Sequence, residues 1–327
     1  MKCPLITELP TPPPGRTGWP WTVSDLSNVS QLTSHVSPPH WPRISIIMPC
    51  LNAEHYIEEA LRSVLLQGYP DLELIVFDGG SSDGTVEIIK RYAPWLTYWV
   101  SEPDRGQSHA INKGLDLSTG ELFNWFNADD VMCPGALYIL ADLYMKNSES
   151  AGVVGVVQVF NDKGNLETLR PVVGTKEEFG NWAFPAFIPQ PGALFKCSLC
   201  KSVGGLNEKL HYVMDIELIM RLAEHGRYTT TDQIITNFRQ HPGSKTVQGD
   251  VAGLVELIAA EFAMGLPGVA ETLLKRRMAG HAGLTIDRLD NTEIARIVDR
   301  WSYRKIGAYL VRRFWKNVRL RMVGRSR

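Results

Sequence analysis

From Arg43 onward, short apolar runs alternate with segments whose apolar residues recur every three or four positions. Ile44 to Met48 is a strand-like run closed by Pro49, and Ile57, Ala60, Leu61, Val64 and Leu65 follow at helical spacing. Leu72 to Phe77 predicts a second strand ending at Asp78 and a glycine-serine turn, after which Val86, Ile88, Ile89 and Tyr92 mark a helix. Leu96 to Val100 predicts a third strand, with Ala110, Ile111, Gly114 and Leu115 on the buried side of the next helix. Glu121 to Phe126 predicts a fourth, leading through Asn127-Ala128-Asp129-Asp130 into a helix that carries Leu137, Leu140 and Tyr144. This alternation predicts an α/β fold, a mostly parallel central sheet with flanking helices. Ligands of such sheets bind beyond the carboxyl ends of the strands.

The rhythm loosens further on. Val153 to Phe160 and Glu167 to Val173, separated by Asn161 to Asn165, predict a hairpin. Ile216, Ile219, Met220 and Ala223 predict a helix beginning near Asp215, and the chain beyond Val247 reads as helical. Residues 1–42 hold nine of the 20 prolines, only four charged residues and no sustained period, so they read as an irregular extension. Trp19, Trp21 and Trp41 are candidates to pin that extension to the folded body, since disordered tails are poor in aromatics. The predicted organisation is a proline-rich extension over 1–42, a main domain over 43–247 and a helical region over 248–327.

Composition narrows the classes. With 34 Lys and Arg against 35 Asp and Glu, the net charge of -1 argues against a surface built for nucleic acid. Five cysteines, an odd number and few for 327 residues, exclude a disulfide-stapled scaffold and predict a reducing, cytoplasmic setting. Pro10, Pro12, Pro13 and Pro14 fall where an export signal needs an unbroken apolar run, and no stretch reaches the roughly 20 apolar residues of a membrane span. The last 27 residues carry nine Lys or Arg and no acid. Ile306, Tyr309, Leu310, Phe314 and Val318 interleave with Arg312, Arg313, Lys316, Arg319 and Arg321, a pattern that suits a peripheral helix on an anionic membrane or a solvated helix packed on the body.

The chain has no Walker loop, GxGxxG or HExxH. It has instead a row of acidic and amide residues at strand ends. Asn127-Ala128-Asp129-Asp130 offers oxygen ligands to a hard divalent cation, Mg2+ or Mn2+; Asp130 reads equally as a helix cap, whereas Asp129 reads first as a metal ligand. Asp78, with Gly79 to Thr85 behind it, can accept from a nucleobase N–H while the glycines allow close backbone approach; Asp83 reads as a cap. Arg105, just before a helix, can face an anion such as a diphosphate, or solvent. Asp215 can take a proton from a substrate hydroxyl, or cap its helix. Arg239 and His241, before a Pro-Gly turn, can contact phosphate, and His241 can ligate Mn2+. Cys197 and Cys200 lack a second metal-binding pair and read as packing.

Taken in order, the strings Ile44 to Asn52, Phe77 to Thr85, Pro103 to Gly114, Asn127 to Asp130 and Met214 to Leu222 resemble the family 2 glycosyltransferases with the GT-A fold, over about Arg43 to Val247. The resemblance implies a metal-dependent, inverting transfer of a hexose from a nucleoside-diphosphate sugar to a glycan or lipid-linked acceptor, of the kind that builds bacterial polysaccharide and lipopolysaccharide. By that similarity Pro49, Leu51, Asn52, Asp78, Gly79, Arg105, Asn127, Ala128 and Asp129 line the nucleotide-sugar site. Asp129 and His241 are the metal candidates, and Asp215 stands in the place of the catalytic base. Gln190-Pro191-Gly192 and Arg239 to His241 resemble segments lining the cleft. Asn127 departs from the family's DXD, Gly79 from its second Asp, and Met214 from a common Glu. The competing readings are a sugar-phosphate nucleotidyltransferase, for which Pro49 to Glu54 lacks a basic glycine-rich loop, and a non-catalytic scaffold or carbohydrate-binding subunit.

Overall fold

The computed structural model describes residues 3–23, 40–180, 186–245, 250–266 and 268–269. All seven positions of β1 (Ile44–Cys50) are buried, as expected of a strand covered on both faces. On one side β2 (Leu72–Asp78) runs parallel to it, with β3 (Tyr98–Ser101) parallel beyond; on the other side lies β4 (Leu122–Trp125), also parallel. Between these strands come α1 (Ile57–Leu65), α2 (Thr85–Tyr92) and α3 (Gln107–Leu117); the apolar positions spaced for helices are buried in α1 and α3, and in α2 Ile89 and Tyr92 are buried while Val86 and Ile88 are half-buried. A two-residue strand, β5 (Val131–Met132), precedes α4 (Ala136–Met145).

The sheet then turns mixed. β6 (Gly152–Asn161) and β7 (Gly164–Leu169) form an antiparallel hairpin as predicted, but its second strand starts at Gly164, inside the expected loop, and ends at Leu169, short of Val173. After α5 (Lys176–Gly180), β8 (Ala193–Lys196) runs antiparallel between β4 and β6. Next come α6 (Cys197–Ser202), α7 (Met214–Ala223), β9 (Tyr228–Arg239), which runs parallel along β6, and α8 (Asp250–Ala263). Among the described residues nine strands join in one sheet of order β3-β2-β1-β4-β8-β6-β9-β5, with β7 on β6. Cys197 and Cys200 are buried in α6, as packing.

β8 and β9 are absent from the sequence expectation. In β9 the run Thr229-Thr230-Thr231 and then Ile234-Ile235-Thr236 is β-branched and suits a strand. Its polar, partly exposed positions hide the alternation that identifies strands elsewhere.

The chain divides into compact units over Met1–Glu256 and Leu257–Arg327. Within the first, residues 3–23 lie on the folded body. Trp21 is buried, and the Trp19 indole donates to the Met132 carbonyl at 2.8 Å. Trp41 meets Tyr69 and Tyr138 edge-on. Arg62 of α1, with 0% exposure, donates to the carbonyls of Pro10, Pro20 and Trp21 and to the Tyr92 hydroxyl. In the second unit the described residues end at position 269, so the basic segment from Ile306 to Arg321 lies outside them. Among the described residues no helix is long and apolar enough to cross a membrane.

Candidate active site

Strand register assembles the rim. Cys50, Asp78 and Ser101, the last residues of β1, β2 and β3, stand abreast. Asp78 is 2% exposed, and its carboxylate accepts from the N–H groups of Gly80 and Ser81 and from the hydroxyls of Ser81 and Ser101. In this state Asp78 shapes its own turn. Gly79 follows, where an added Cβ would come 2.8 Å from an oxygen of Asp104.

The loops after β1 and β2 are stitched together. Asn52, with φ at 50°, takes the left-handed backbone that Asn tolerates better than most residues; its N–H donates to the Ser81 hydroxyl at 2.7 Å and its Oδ1 accepts from the Ser82 N–H at 2.9 Å. Asp83 accepts from the Thr85 N–H and hydroxyl and from the Glu54 N–H, the turn role expected of it. Pro49 is buried in β1, whereas Leu51 is 60% exposed, leaving an apolar side chain open at the rim.

β4 leads into the turn Asn127 to Asp130, with Ala128 buried. Asp130 is fully buried and accepts from the Arg239 backbone N–H at 3.0 Å; burial, together with the charge of Asp129, raises its carboxyl well above the ordinary range. Asp130 thus fastens the turn to β9. Asp129 and His241, 112 residues apart in the chain, meet with Oδ2 and Nε2 at 3.0 Å, and the Tyr56 ring lies 4.8 Å from the imidazole. Arg239 is 8% exposed, and its guanidinium donates to the Asp129 carbonyl and to Glu59. Two of its donors thus tie the turn and α1 to β9.

Asp129 and His241 offer one carboxylate oxygen and one imidazole nitrogen, both partly exposed. Among the described residues no group of three His, Cys, Asp or Glu is placed to hold a metal. Two protein donors fit Mg2+ or Mn2+, which take their remaining ligands from water and substrate phosphates.

Asp215 lies in the first turn of α7, one residue inside, and the cap position, Val213, makes no side-chain cap. Its carboxyl is raised by burial above the ordinary aspartate value. Two contacts bring this helix start to the rim. The Ser108 hydroxyl of α3 meets the Met214 sulfur at 2.8 Å, and the neighbouring Gln107 donates to Asn127 Oδ1 at 2.8 Å. Lys245 donates to Gln107 Oε1 at 2.7 Å and to the His211 carbonyl at 3.3 Å. Sequence reasoning missed Gln107 and Lys245, because nothing local in the chain marks a contact across 138 residues. Arg105 stands apart from this group, 70% exposed and ion-paired with Glu208 at 2.8 Å. Gln190 donates to Asn124 and to the Trp125 carbonyl, behind the end of β4. A groove of about 650 Å³ lined by Trp41, Arg43, Asp71 and Thr119 opens at the opposite, amino-terminal ends of the strands and holds none of these residues.

A mixed α/β sheet with flanking helices, carrying amide, acidic and imidazole groups at the carboxyl ends of its strands, defines a GT-A domain. Residues 45–203 match the family model of glycosyl transferase family 2. It is 31% identical over 213 residues to an uncharacterized glycosyltransferase of Nostoc sp., covering 61% of this chain and 65% of that one. It is 25% identical over 210 residues to the chondroitin synthase of Pasteurella multocida, covering 63% and 22%. The chain thus spans between 22% and 65% of the length of these relatives. Its fold resembles S. aureus TarS 1–349 in complex with UDP-GlcNAc, with a TM-score of 0.58 and 18% identity, covering 75% of this chain and 74% of TarS. It also resembles the mannosyltransferase PcManGT of Pyrobaculum calidifontis in complex with GDP-Man and Mn2+, with a TM-score of 0.51 and 19% identity, covering 89% and 90%.

Proposed function

We propose that the chain is an inverting glycosyltransferase that moves a sugar of the hexose type from a nucleoside-diphosphate sugar to a hydroxyl of a glycan or lipid-linked acceptor. The observation that supports this reading is that α3 touches both the α7 start, through Ser108 and Met214, and the turn of Asn127, through Gln107, the turn on which Asp129 meets His241. Neighbours of the same fold bound to UDP-GlcNAc and GDP-Man support a nucleotide-sugar donor.

In a single displacement the acceptor oxygen attacks the anomeric carbon. The bond from that carbon to the diphosphate oxygen breaks, and the nucleoside diphosphate leaves with the electron pair. Asp215 takes the hydroxyl proton, and its raised carboxyl pKa makes it a better base than an ordinary aspartate. One displacement inverts the configuration. Asp129 and His241 would hold a Mn2+ or Mg2+ ion, which supplies positive charge to the diphosphate when bound. Pro49, Leu51, Asn52 and the turn of Asp78 and Gly79 form the nucleoside side of the site. We place the reaction in the cytoplasm, with the basic C-terminal segment as a peripheral contact to the inner membrane face.

The test is thermal melting of the full chain and of Asp215→Asn against UDP, GDP and dTDP, each with Mn2+ and with EDTA, beside a transfer assay with the responding donor class. A ligand that binds only the native state raises the melting temperature. One diphosphate is expected to stabilise both proteins more with Mn2+, while transfer is lost in Asp215→Asn. Near-normal turnover in that variant, or no response to any diphosphate by folded protein, rejects the reading.

A further inference from the structure

Lys245 lies four residues beyond His241 and is half-buried. Its two hydrogen-bond acceptors, Gln107 Oε1 and the His211 carbonyl, are both neutral. Among the described residues it pairs with no carboxylate; Glu256, Asp215 and Asp104 act on it only at longer range. Glu256 accepts from the N–H groups of His211 and Tyr212 at 2.9 and 2.7 Å, which fixes the loop whose carbonyl Lys245 uses. An ammonium has three donors, and this half-buried one has only neutral oxygens at hydrogen-bond distance, with no carboxylate in direct contact among the described residues.

Its surroundings indicate which anion is missing. Gln107 is the first residue of the 11-residue α3. As at any helix start, the first N–H groups have no acceptor within the helix, and the dipole favours negative charge there. Arg105, the cation that the sequence suggests for this helix start, is taken by Glu208, which leaves Lys245 as the cation beside it. Gln107 also bonds Asn127, so the ammonium is linked through two side chains to the turn that carries Asp129.

We propose that Lys245 is the cation of the diphosphate subsite, pairing with the diphosphate of the donor and of the released nucleotide. The inference rests on the reading of this rim as a nucleotide-sugar site. Its consequence is that the attraction for diphosphate has a component independent of divalent metal, carried by a side chain. Lys245 and neutral Asn127 then act as one unit through Gln107, in a turn that has one carboxylate fewer than DXD.

The experiment is titration calorimetry of the full chain with UDP, GDP and dTDP and with uridine, guanosine and thymidine, in EDTA and in Mn2+, on wild type, Lys245→Met and Lys245→Arg. Wild type in EDTA is expected to bind one diphosphate more tightly than the matching nucleoside. Loss of a charge-assisted contact predicts about ten-fold or more weaker diphosphate binding in Lys245→Met, with nucleoside binding within about two-fold and Lys245→Arg close to wild type. Equal diphosphate affinity in wild type and Lys245→Met overturns the proposal, and so does a parallel loss for diphosphate and nucleoside, which marks a structural role. Should Lys245→Met not fold, wild type in EDTA decides alone: no preference for diphosphate over nucleoside overturns it. Failure of wild type to bind any diphosphate or nucleoside, with or without Mn2+, rejects instead the underlying reading of the site.

Discussion

Replacing Arg239 with Met tests how the turn that carries Asp129 is held. Methionine keeps much of the apolar stem and removes the guanidinium. Lost with it are the bond to the Asp129 carbonyl at 3.0 Å, the ion pair with Glu59 at 2.9 Å, and the placement of the charge over the rings of Phe160 and Tyr56, at 4.5 and 5.2 Å. A hydrogen bond to a charged group contributes about 1.5–3 kcal/mol, a neutral one about 1 kcal/mol, and a cation–π contact about 0.5–2 kcal/mol. These contributions do not add fully, because they share one side chain. Glu59 keeps Arg16 at 3.8 Å and some access to water, which offsets part of the loss. The expected destabilisation is about 2–4 kcal/mol, read from the urea midpoint at unchanged slope. Arg239→Lys is expected to lose most of the same, since one ammonium does not reproduce the fork that spans the carbonyl and Glu59. A loss below about 1 kcal/mol would falsify the view that this guanidinium holds the turn.

Two further outcomes follow from groups the structure places. For transfer, kcat/KM measured against pH is expected to fall on the acid side as Asp215 takes a proton, with an apparent pKa above the aspartate value of 3.8, because burial raises that carboxyl in the folded protein; an acid limb at or below 3.8 contradicts Asp215 as the base. Arg62→Ala leaves the carbonyls of Pro10, Pro20 and Trp21 without their donor, so stability is expected to drop by about 2–5 kcal/mol and limited proteolysis to cut first within residues 10–23. An unchanged cleavage pattern would show that Arg62 does not anchor this segment.

Much of the first half was legible because period and burial agree there. β1 to β4 are buried or flanked by helices whose apolar spacing is regular, and their polar residues collect at the carboxyl ends. The hairpin of β6 and β7 was legible from its turn. β9 was not, since its β-branched residues alternate with exposed polar ones and it runs into the Arg239 to Ser244 stretch that reads as a loop. At the site, the structure brings Asp129 and His241, both singled out by the sequence, to 3.0 Å of each other. Arg105 and Lys245 show the limit of such reasoning. Both are basic residues near helix starts, and what separates them is the distant partner: Glu208, 103 residues away, occupies Arg105, whereas Gln107 aligns Lys245 with the rim.

Two of the three departures from the family pattern, Gly79 and Asn127, have structural counterparts. At Gly79 a side chain would begin 2.8 Å from the Asp104 carboxylate, whose other oxygen accepts from the Gly106 N–H at 2.7 Å. Position 79 is therefore small because the loop before α3 supplies a carboxylate to the same place. Asn127 uses both ends of its amide: Oδ1 accepts from Gln107, and Nδ2 donates to Asp130 at 3.4 Å. An ionised aspartate could accept from Gln107 but could donate nothing to Asp130, and it would add charge beside Asp129 and a carboxyl that burial already raises. The amide lets one short turn keep Asp129 open toward His241 while Asp130 stays buried. The substitution thus belongs to the network that joins the turn to α3 and Lys245.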